Sequence, residues 1–166
     1  MYPQLKLDNQ LCFRFYTVSR LITQAYQPLL KGLGLTYPQY LVMLVLWEHD
    51  AQPVNDIAKR LMLNTNTVTP LLKRMEALGL LERKKGQTDA RQVIVSLTEK
   101  GKQMEQQAAH IPAELTNSFT CSELQQEAGA NMVGWLDVMI NELGAAVASP
   151  HNQEDGPSLS ALEHQP

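Results

Sequence analysis

The chain has 166 residues, 44% of them apolar and 19% charged, with a net charge of −3. That fits one ordinary domain with its own core, and it excludes both a charge-rich disordered chain and a uniformly basic coat for nucleic acid. The longest apolar run, residues 41–47, falls far short of the roughly 20 residues of a membrane span, and Cys12 and Cys121 are too few for a disulfide-stapled scaffold or a metal cluster.

The N-terminal residues also lack an unbroken apolar stretch with a small-residue cleavage site. The expectation is a cytoplasmic protein with no membrane partner, no metal site and no cofactor, in which any cysteine function is redox or nucleophilic. Charge is unevenly placed. Residues 53–102 carry ten basic and five acidic side chains, a balance of +5, and the remainder carries four basic and twelve acidic ones, a balance of −8. A basic middle between acidic flanks suits a phosphate-binding module, although a solvated surface of uneven charge has the same composition.

In chain order, residues 8–30 place Leu11, Phe15, Val18, Ile22, Ala25 and Leu29 at helical steps, with Asp8 positioned to cap the start. Gly32 and Gly34 interrupt the pattern. Thr36-Tyr37-Pro38-Gln39 then reads as a capping box with proline in the first turn, opening a second helix to about residue 49 that is apolar all round and so forms the centre of the core. After a turn over 50–53, a short helix spans 54–61 and a turn over 62–64 follows. A fourth helix, about 66–78, carries Val68, Leu71, Leu72, Met75 and Leu78 inward, has Pro70 near its first turn, and ends on Gly79 as a left-handed cap.

Residues 80–85 and 93–97 are β-prone pieces around a polar tip at 86–90. Three helices followed by a hairpin spell a winged helix: a mainly α fold with a small β hairpin. Thr98 caps a fifth helix through about residue 111, and Pro112 restarts or bends the chain. Ser122-Glu123-Leu124-Gln125 opens a last helix to residue 143 with an apolar stripe of Leu124, Met132, Trp135, Leu136, Met139, Ile140 and Leu143. The expected organisation is a single domain over 1–147, with a winged helix at about 53–102 between long amphipathic helices at about 8–31 and 98–143, and a disordered tail over 148–166. The flanking helices are too apolar for one small motif to cover, so a homodimer is expected, presenting two recognition helices to a pseudo-palindromic stretch of double-stranded DNA.

On the fourth helix the face opposite the apolar stripe offers Thr65, Asn66, Thr67, Thr69, Lys73 and Arg74, short hydrogen bonders followed by cations. A plainer reading makes them a cap and solvated charges. The hairpin adds Arg83, Lys84, Lys85 and Arg91; Arg91 is the best placed to enter a minor groove, with Asp89 to orient its guanidinium. Cys12 lies in the first turns of the first helix beside Phe13, Phe15 and Tyr16. Either it is an inert small hydrophobe or the helix N-terminus and hydroxyl donors raise its thiolate fraction, and both readings stand on the sequence.

The runs Leu7-Asp8-Asn9-Gln10-Leu11-Cys12-Phe13, Leu35-Thr36-Tyr37-Pro38-Gln39-Tyr40, Thr69-Pro70-Leu71-Leu72-Lys73-Arg74-Met75-Glu76 and Asp89-x-Arg91 through Leu97-Thr98-x-x-Gly101 resemble the MarR family of regulators. Within it, the cysteine box and the Tyr-Pro-Gln-Tyr box resemble the organic-hydroperoxide sensor branch (OhrR-like). The resemblance implies a homodimeric, non-enzymatic repressor that leaves its operator when an organic hydroperoxide oxidises Cys12. The family's two tyrosine donors to the reactive cysteine map by motif position onto Tyr26 and Tyr37, and Phe13, Phe15 and Tyr16 would form an apolar peroxide pocket. Trapping of the oxidised sulfur by Cys121 of the other subunit, or by a small external thiol, is implied in the same way. Where relatives usually have Asp-Ser-Gly-Thr this chain has Asn64-Thr65-Asn66-Thr67, so base readout departs from the family pattern. Two other readings compete: a MarR-type repressor released by a non-covalent phenolic ligand, and a thiol peroxidase using Cys12 and Cys121.

Overall fold

A computed structural model describes residues 2–86, 91–118 and 127–148. Its elements run α1 (Leu11–Lys31), α2 (Tyr37–Glu48), β1 (Gln52–Pro53), α3 (Val54–Arg60), α4 (Thr65–Ala77), β2 (Leu81–Lys85), β3 (Val93–Leu97), α5 (Glu99–Ala108), α6 (Ile111–Ser118) and α7 (Glu127–Ala148). The chain divides into two units, Met1–Ser118 and Phe119–Pro166; the first contains the winged helix and the second contains α7.

The core of the first unit forms around α2, whose Tyr40, Val42, Met43, Val45 and Leu46 are all buried, as a helix apolar on every side requires. Leu41 and Trp47 are half-buried, and Leu44 is 40% exposed. Ile57 and Ala58 of α3, Val68, Leu72 and Met75 of α4, Val95 of β3, and Met104 and Ala108 of α5 close on it. The expected start of α2 is confirmed. Gln39 is buried, and its Oε1 accepts from the Thr36 backbone N–H at 2.8 Å and from the Thr36 hydroxyl at 3.1 Å, so burial leaves the amide carbonyl satisfied.

Three helices end in the same way. At Gly34, Met62 and Gly79 the backbone turns left-handed with φ near 65°, 53° and 71°. In each case the next residue donates back to the carbonyl five positions earlier: Leu35 to Leu30, Leu63 to Ala58 and Leu80 to Met75. This is a Schellman cap, in which an apolar residue beyond the turn folds back on the helix end. Two of the three use the glycine that the conformation favours, and the third, in the tight turn between α3 and α4, uses methionine. A left-handed non-glycine residue costs about 1–2 kcal/mol, and Met62 is 66% exposed, so its side chain returns little burial energy. Met62→Gly is therefore expected to raise stability by about 0.5–1 kcal/mol after the added chain entropy, read as a shift in the urea midpoint at unchanged slope.

The sheet is antiparallel in the order β1-β3-β2, with Gln52 opposite Val95 and Lys84 opposite Ile94. Residues 52–53, expected within a turn, instead add an edge strand. Two residues are too few to show period-two alternation, and a proline is tolerated at an edge where its missing N–H faces away from the ladder. Asp50 makes the join: its Oδ1 accepts from Ala51 N–H and from Leu97 N–H, both at 2.8 Å.

Four further boundaries differ from expectation. Asp8 does not cap α1; it lies in one of two short 3-10 turns, Pro3–Leu5 and Leu7–Asn9, and Gln10 holds the cap position without a side-chain bond. Pro70 is the sixth residue of α4, not near its first turn, because α4 begins at Thr65 directly after Asn64. Its ring removes the donor that would meet the Asn66 carbonyl, an interior position where proline costs about 3 kcal/mol. The fifth helix stops at Ala108 and α6 begins at Ile111, since a continuous helix would drive the Pro112 ring into the carbonyl of Ala108. α7 continues to Ala148, with Leu136 and Met139 half-buried and Met132, Trp135, Ile140 and Leu143 exposed. The Ser122 box and Leu124 lie outside the described residues, as does the tail beyond 148.

Candidate functional site

The helix–turn–helix formed by α3 and α4 sets α4 on the surface. Its start is tight: the Asn64 carbonyl accepts from Thr67 N–H at 2.9 Å and from Val68 N–H at 3.1 Å. With Val68, Leu72 and Met75 fully buried, the opposite face points outward, and Thr65, Asn66, Thr67, Lys73 and Arg74 are exposed while Thr69 is half-buried. Thr65 and Thr69 face the hairpin across a cleft of about 200 Å³, to which α3 contributes Asn55 and the hairpin contributes Arg83, Arg91 and Gln92. The cleft thus gathers two hydroxyls, two amides and the Arg91 guanidinium at the foot of α4, a set suited to phosphate and base edges.

The four hairpin cations are not equivalent. Arg83 is a strut: its Nε and Nη2 donate to Glu76 Oε2 at 3.0 and 2.7 Å, and its backbone N–H donates to Glu76 Oε1 at 3.1 Å. Strand β2 is thereby pinned to α4, which sets the angle between recognition helix and hairpin. Lys84 pairs with Glu82 at 2.6 Å on the exposed strand surface, Lys85 is exposed, and Arg91 is exposed at the far side of the tip. Asp89 lies outside the described residues.

Hydrogen bonds from the Arg83 side chain hold the Glu76 carboxyl below its ordinary value of 4.5. A carboxylate whose folded pKa is lowered stabilises the fold above the unfolded value and loses that contribution as pH falls through the folded one. The stability gap between the wild type and Glu76→Gln should accordingly be full at neutral pH and shrink steadily below about pH 4.5. Urea midpoints measured across that range check it, and a gap independent of pH would remove the ionic character of the strut.

Cys12 is the second residue of α1, and its thiol is exposed. Tyr16 lies one turn later on the same face, stacked with Phe13 at 6.3 Å between ring centroids. Arg20, one turn further, covers the Tyr16 ring at 5.7 Å and donates to its hydroxyl at 3.3 Å. Phe15 is half-buried. Tyr26 and Tyr37 are brought together, with ring centroids 4.8 Å apart, and Tyr26 also meets the buried Tyr40 at 5.6 Å. Burial raises all three phenol pKa values, so each keeps its proton and remains a donor. This pair is not beside its own Cys12: Tyr26 lies fourteen helical steps along α1 from it, about 21 Å at 1.5 Å per residue.

A family profile described as "Transcriptional regulator SarA/Rot" matches residues 24–107. The organic hydroperoxide resistance transcriptional regulator of Bacillus subtilis (strain 168) is 48% identical over 111 residues, covering 67% of this chain and 76% of that protein. The chain belongs to the SarA/Rot family of transcriptional regulators. Its fold is that of MarR-type winged helices, and among solved structures it matches reduced AbfR bound to DNA with a TM-score of 0.71, 38% identity, and coverage of 84% of this chain and 96% of the other. It also matches disulfide-formed AbfR at a TM-score of 0.55 and 35% identity, covering 87% and 93%.

In this SarA/Rot regulator, sequence reasoning overlooked two residues that shape the cleft between α4 and the hairpin. Asn55 is the second residue of α3 and carries no signal by spacing, because the cleft it lines exists only once the hairpin has packed back. Glu76 had one available signal: an acidic residue on the partly exposed side of a helix otherwise rich in cations, followed seven residues later by arginine.

Proposed function

We propose that this chain is a cytoplasmic, homodimeric DNA-binding repressor that senses organic hydroperoxides through Cys12. The observation that carries the reading is an exposed thiol at the N-terminal turn of α1, in a chain that over 111 residues is 48% identical to an organic hydroperoxide resistance regulator. DNA is contacted by Thr65, Asn66, Thr67, Thr69, Lys73 and Arg74 from α4, and by Lys84, Lys85, Asp89 and Arg91 from the hairpin. Arg83 is taken up by Glu76 and holds the hairpin in place. Among the described residues no helix is long and apolar enough to cross a membrane.

Dimerisation is supported by the apolar side chains that both units leave exposed: Leu11, Val18 and Leu21 on α1, and Val133, Trp135, Val138 and Val147 on α7. It also resolves the separation along α1. Because about 21 Å of helix keeps Tyr26 and Tyr37 from their own Cys12, the phenols that serve one thiolate come from the other subunit. In that assembly the Cys12 thiolate attacks the terminal peroxide oxygen, the O–O bond breaks, and the alkoxide leaves as alcohol after taking a proton, giving a sulfenic acid. The Cys121 thiol of the partner then displaces hydroxide from sulfur, forming a disulfide and water. Phe13, Phe15 and Tyr16, near Cys12 on α1, supply the apolar surface that favours an alkyl peroxide over hydrogen peroxide, with the Phe13 and Tyr16 rings stacked on each other.

The test is peptide mapping of the full chain under non-reducing conditions after one equivalent of cumene hydroperoxide, alongside release of a bound fluorescent operator duplex. A Cys12–Cys121 link that appears together with release is the expected result. An unmodified Cys12 would overturn the redox reading and favour a non-covalent ligand.

A further inference from the structure

The proline of the recognition helix has no structural use. Pro70 sits in the interior of α4, where it removes a backbone donor, and its ring is exposed. Positions that break a local folding rule without compensation are where function is to be sought. Its place on the helix is informative: Asn66, Pro70, Lys73 and Ala77 recur at four- and three-residue steps, and all four are exposed. They run along the middle of the outward face, directly opposite the buried Val68, Leu72 and Met75. Pro70 is therefore the central side chain of the surface that meets the major groove, with an amide one turn before it and Lys73 and Arg74 one turn after.

A pyrrolidine ring offers only carbon and hydrogen to what it touches. On the floor of the major groove the base edges present nitrogen and oxygen donors and acceptors, with a single apolar group, the 5-methyl of thymine. Set against cytosine, guanine or the adenine edge, the ring would strip water from polar atoms and return no hydrogen bond. We propose, resting on the DNA-binding reading above, that Pro70 is a specificity residue that reads the 5-methyl of one thymine in each half of the operator. Thr69 and Lys73 flank it as hydrogen bonder and cation. The departure of Asn64-Thr65-Asn66-Thr67 from the usual family residues alters readout at the helix start and leaves this central contact in place.

The experiment selects duplexes from a random-sequence library with the full-length protein, then replaces each thymine of the selected duplex in turn by deoxyuridine, which lacks only the methyl group. Affinities are measured by fluorescence anisotropy for the wild type and for Pro70→Ala. For the wild type, one position per half-site should lose about fourfold in affinity, the value of one buried methyl. In Pro70→Ala the penalty at that position should vanish, while the thermal midpoint stays at or above that of the wild type because alanine restores the helical bond. A purely structural proline would lower the midpoint on substitution and leave the deoxyuridine profile unchanged. Identical profiles for the two proteins, or no deoxyuridine penalty at any thymine for the wild type, would overturn the proposal alone. Failure of the wild type to enrich any sequence would overturn the DNA-binding reading and this proposal with it.

Discussion

Cys12→Ser should bind the operator within about twofold of the wild type, since a surface substitution that disturbs no packing changes free energy by about 0.5 kcal/mol or less. It should also be insensitive to cumene hydroperoxide at concentrations that fully release the wild type. The serine hydroxyl matches the thiol in shape, but at neutral pH it is neither ionised nor able to form the sulfenic acid from which the switch proceeds. The thiol is exposed on α1, well separated in sequence from α4 and the hairpin, so binding and sensing are separable functions. Cys121→Ser distinguishes the two trapping routes. If the second cysteine is the trap, this variant stops at the sulfenic acid and releases DNA only when a small thiol is added; if an external thiol is the trap, it behaves as the wild type. Peroxide-driven release that persists in Cys12→Ser would place the sensor elsewhere.

Gly101→Ala should cost about 3 kcal/mol, the upper range for forcing one extra methyl into a filled space and a large share of a small domain's stability. A Cβ at position 101 would lie deep inside the contact distance of the Leu80 carbonyl oxygen and 3.1 Å from Leu97 Cδ2. That carbonyl is itself fixed, accepting from Thr98 N–H at 3.1 Å, and the Gly101 carbonyl accepts from Trp47 Nε1 at 2.9 Å. Neither partner can yield without unpicking the joint between α5, the end of α4 and α2. Because Leu80 leads directly into β2, the same displacement tilts the hairpin, and DNA affinity should fall together with the urea midpoint. Lys100→Ala is the control. Its Nζ donates to the Leu78 carbonyl at 2.8 Å on the exposed surface, and its loss should cost about 1 kcal/mol or less. Equal effects of the two substitutions would mean that lost contacts, rather than the missing space, govern this joint.

The same joint shows why part of the molecule can be read from sequence. The helix over 37–48, its capping box, the glycine caps at 34 and 79, and the strand over 93–97 follow from period, capping chemistry and φ preference, all of which are local. The Schellman cap at Met62 escapes such reasoning because its left-handed residue is not glycine; the conformation is imposed by packing α3 against α4. β1 escapes it because a two-residue strand exists only where β3 offers an edge and Asp50 ties the chain to Leu97.

The candidate site divides along the same line. Residue types and spacing made the hydroxyls and cations of α4 and Arg91 candidates, because each carries its chemistry in its own side chain, while the sensing role of Cys12 came from the family resemblance and not from spacing. That Arg83 is tied to Glu76 rather than offered to phosphate depends on the fold. So do the meeting of Tyr26 with Tyr37 far along the helix from their own Cys12, and the place of Pro70 at the middle of the exposed face. Distance along the chain sets what a segment can form alone. Which side chains meet, which charges are already neutralised and which face remains open are set by contacts between segments, and those contacts exist only after the core around α2 has closed.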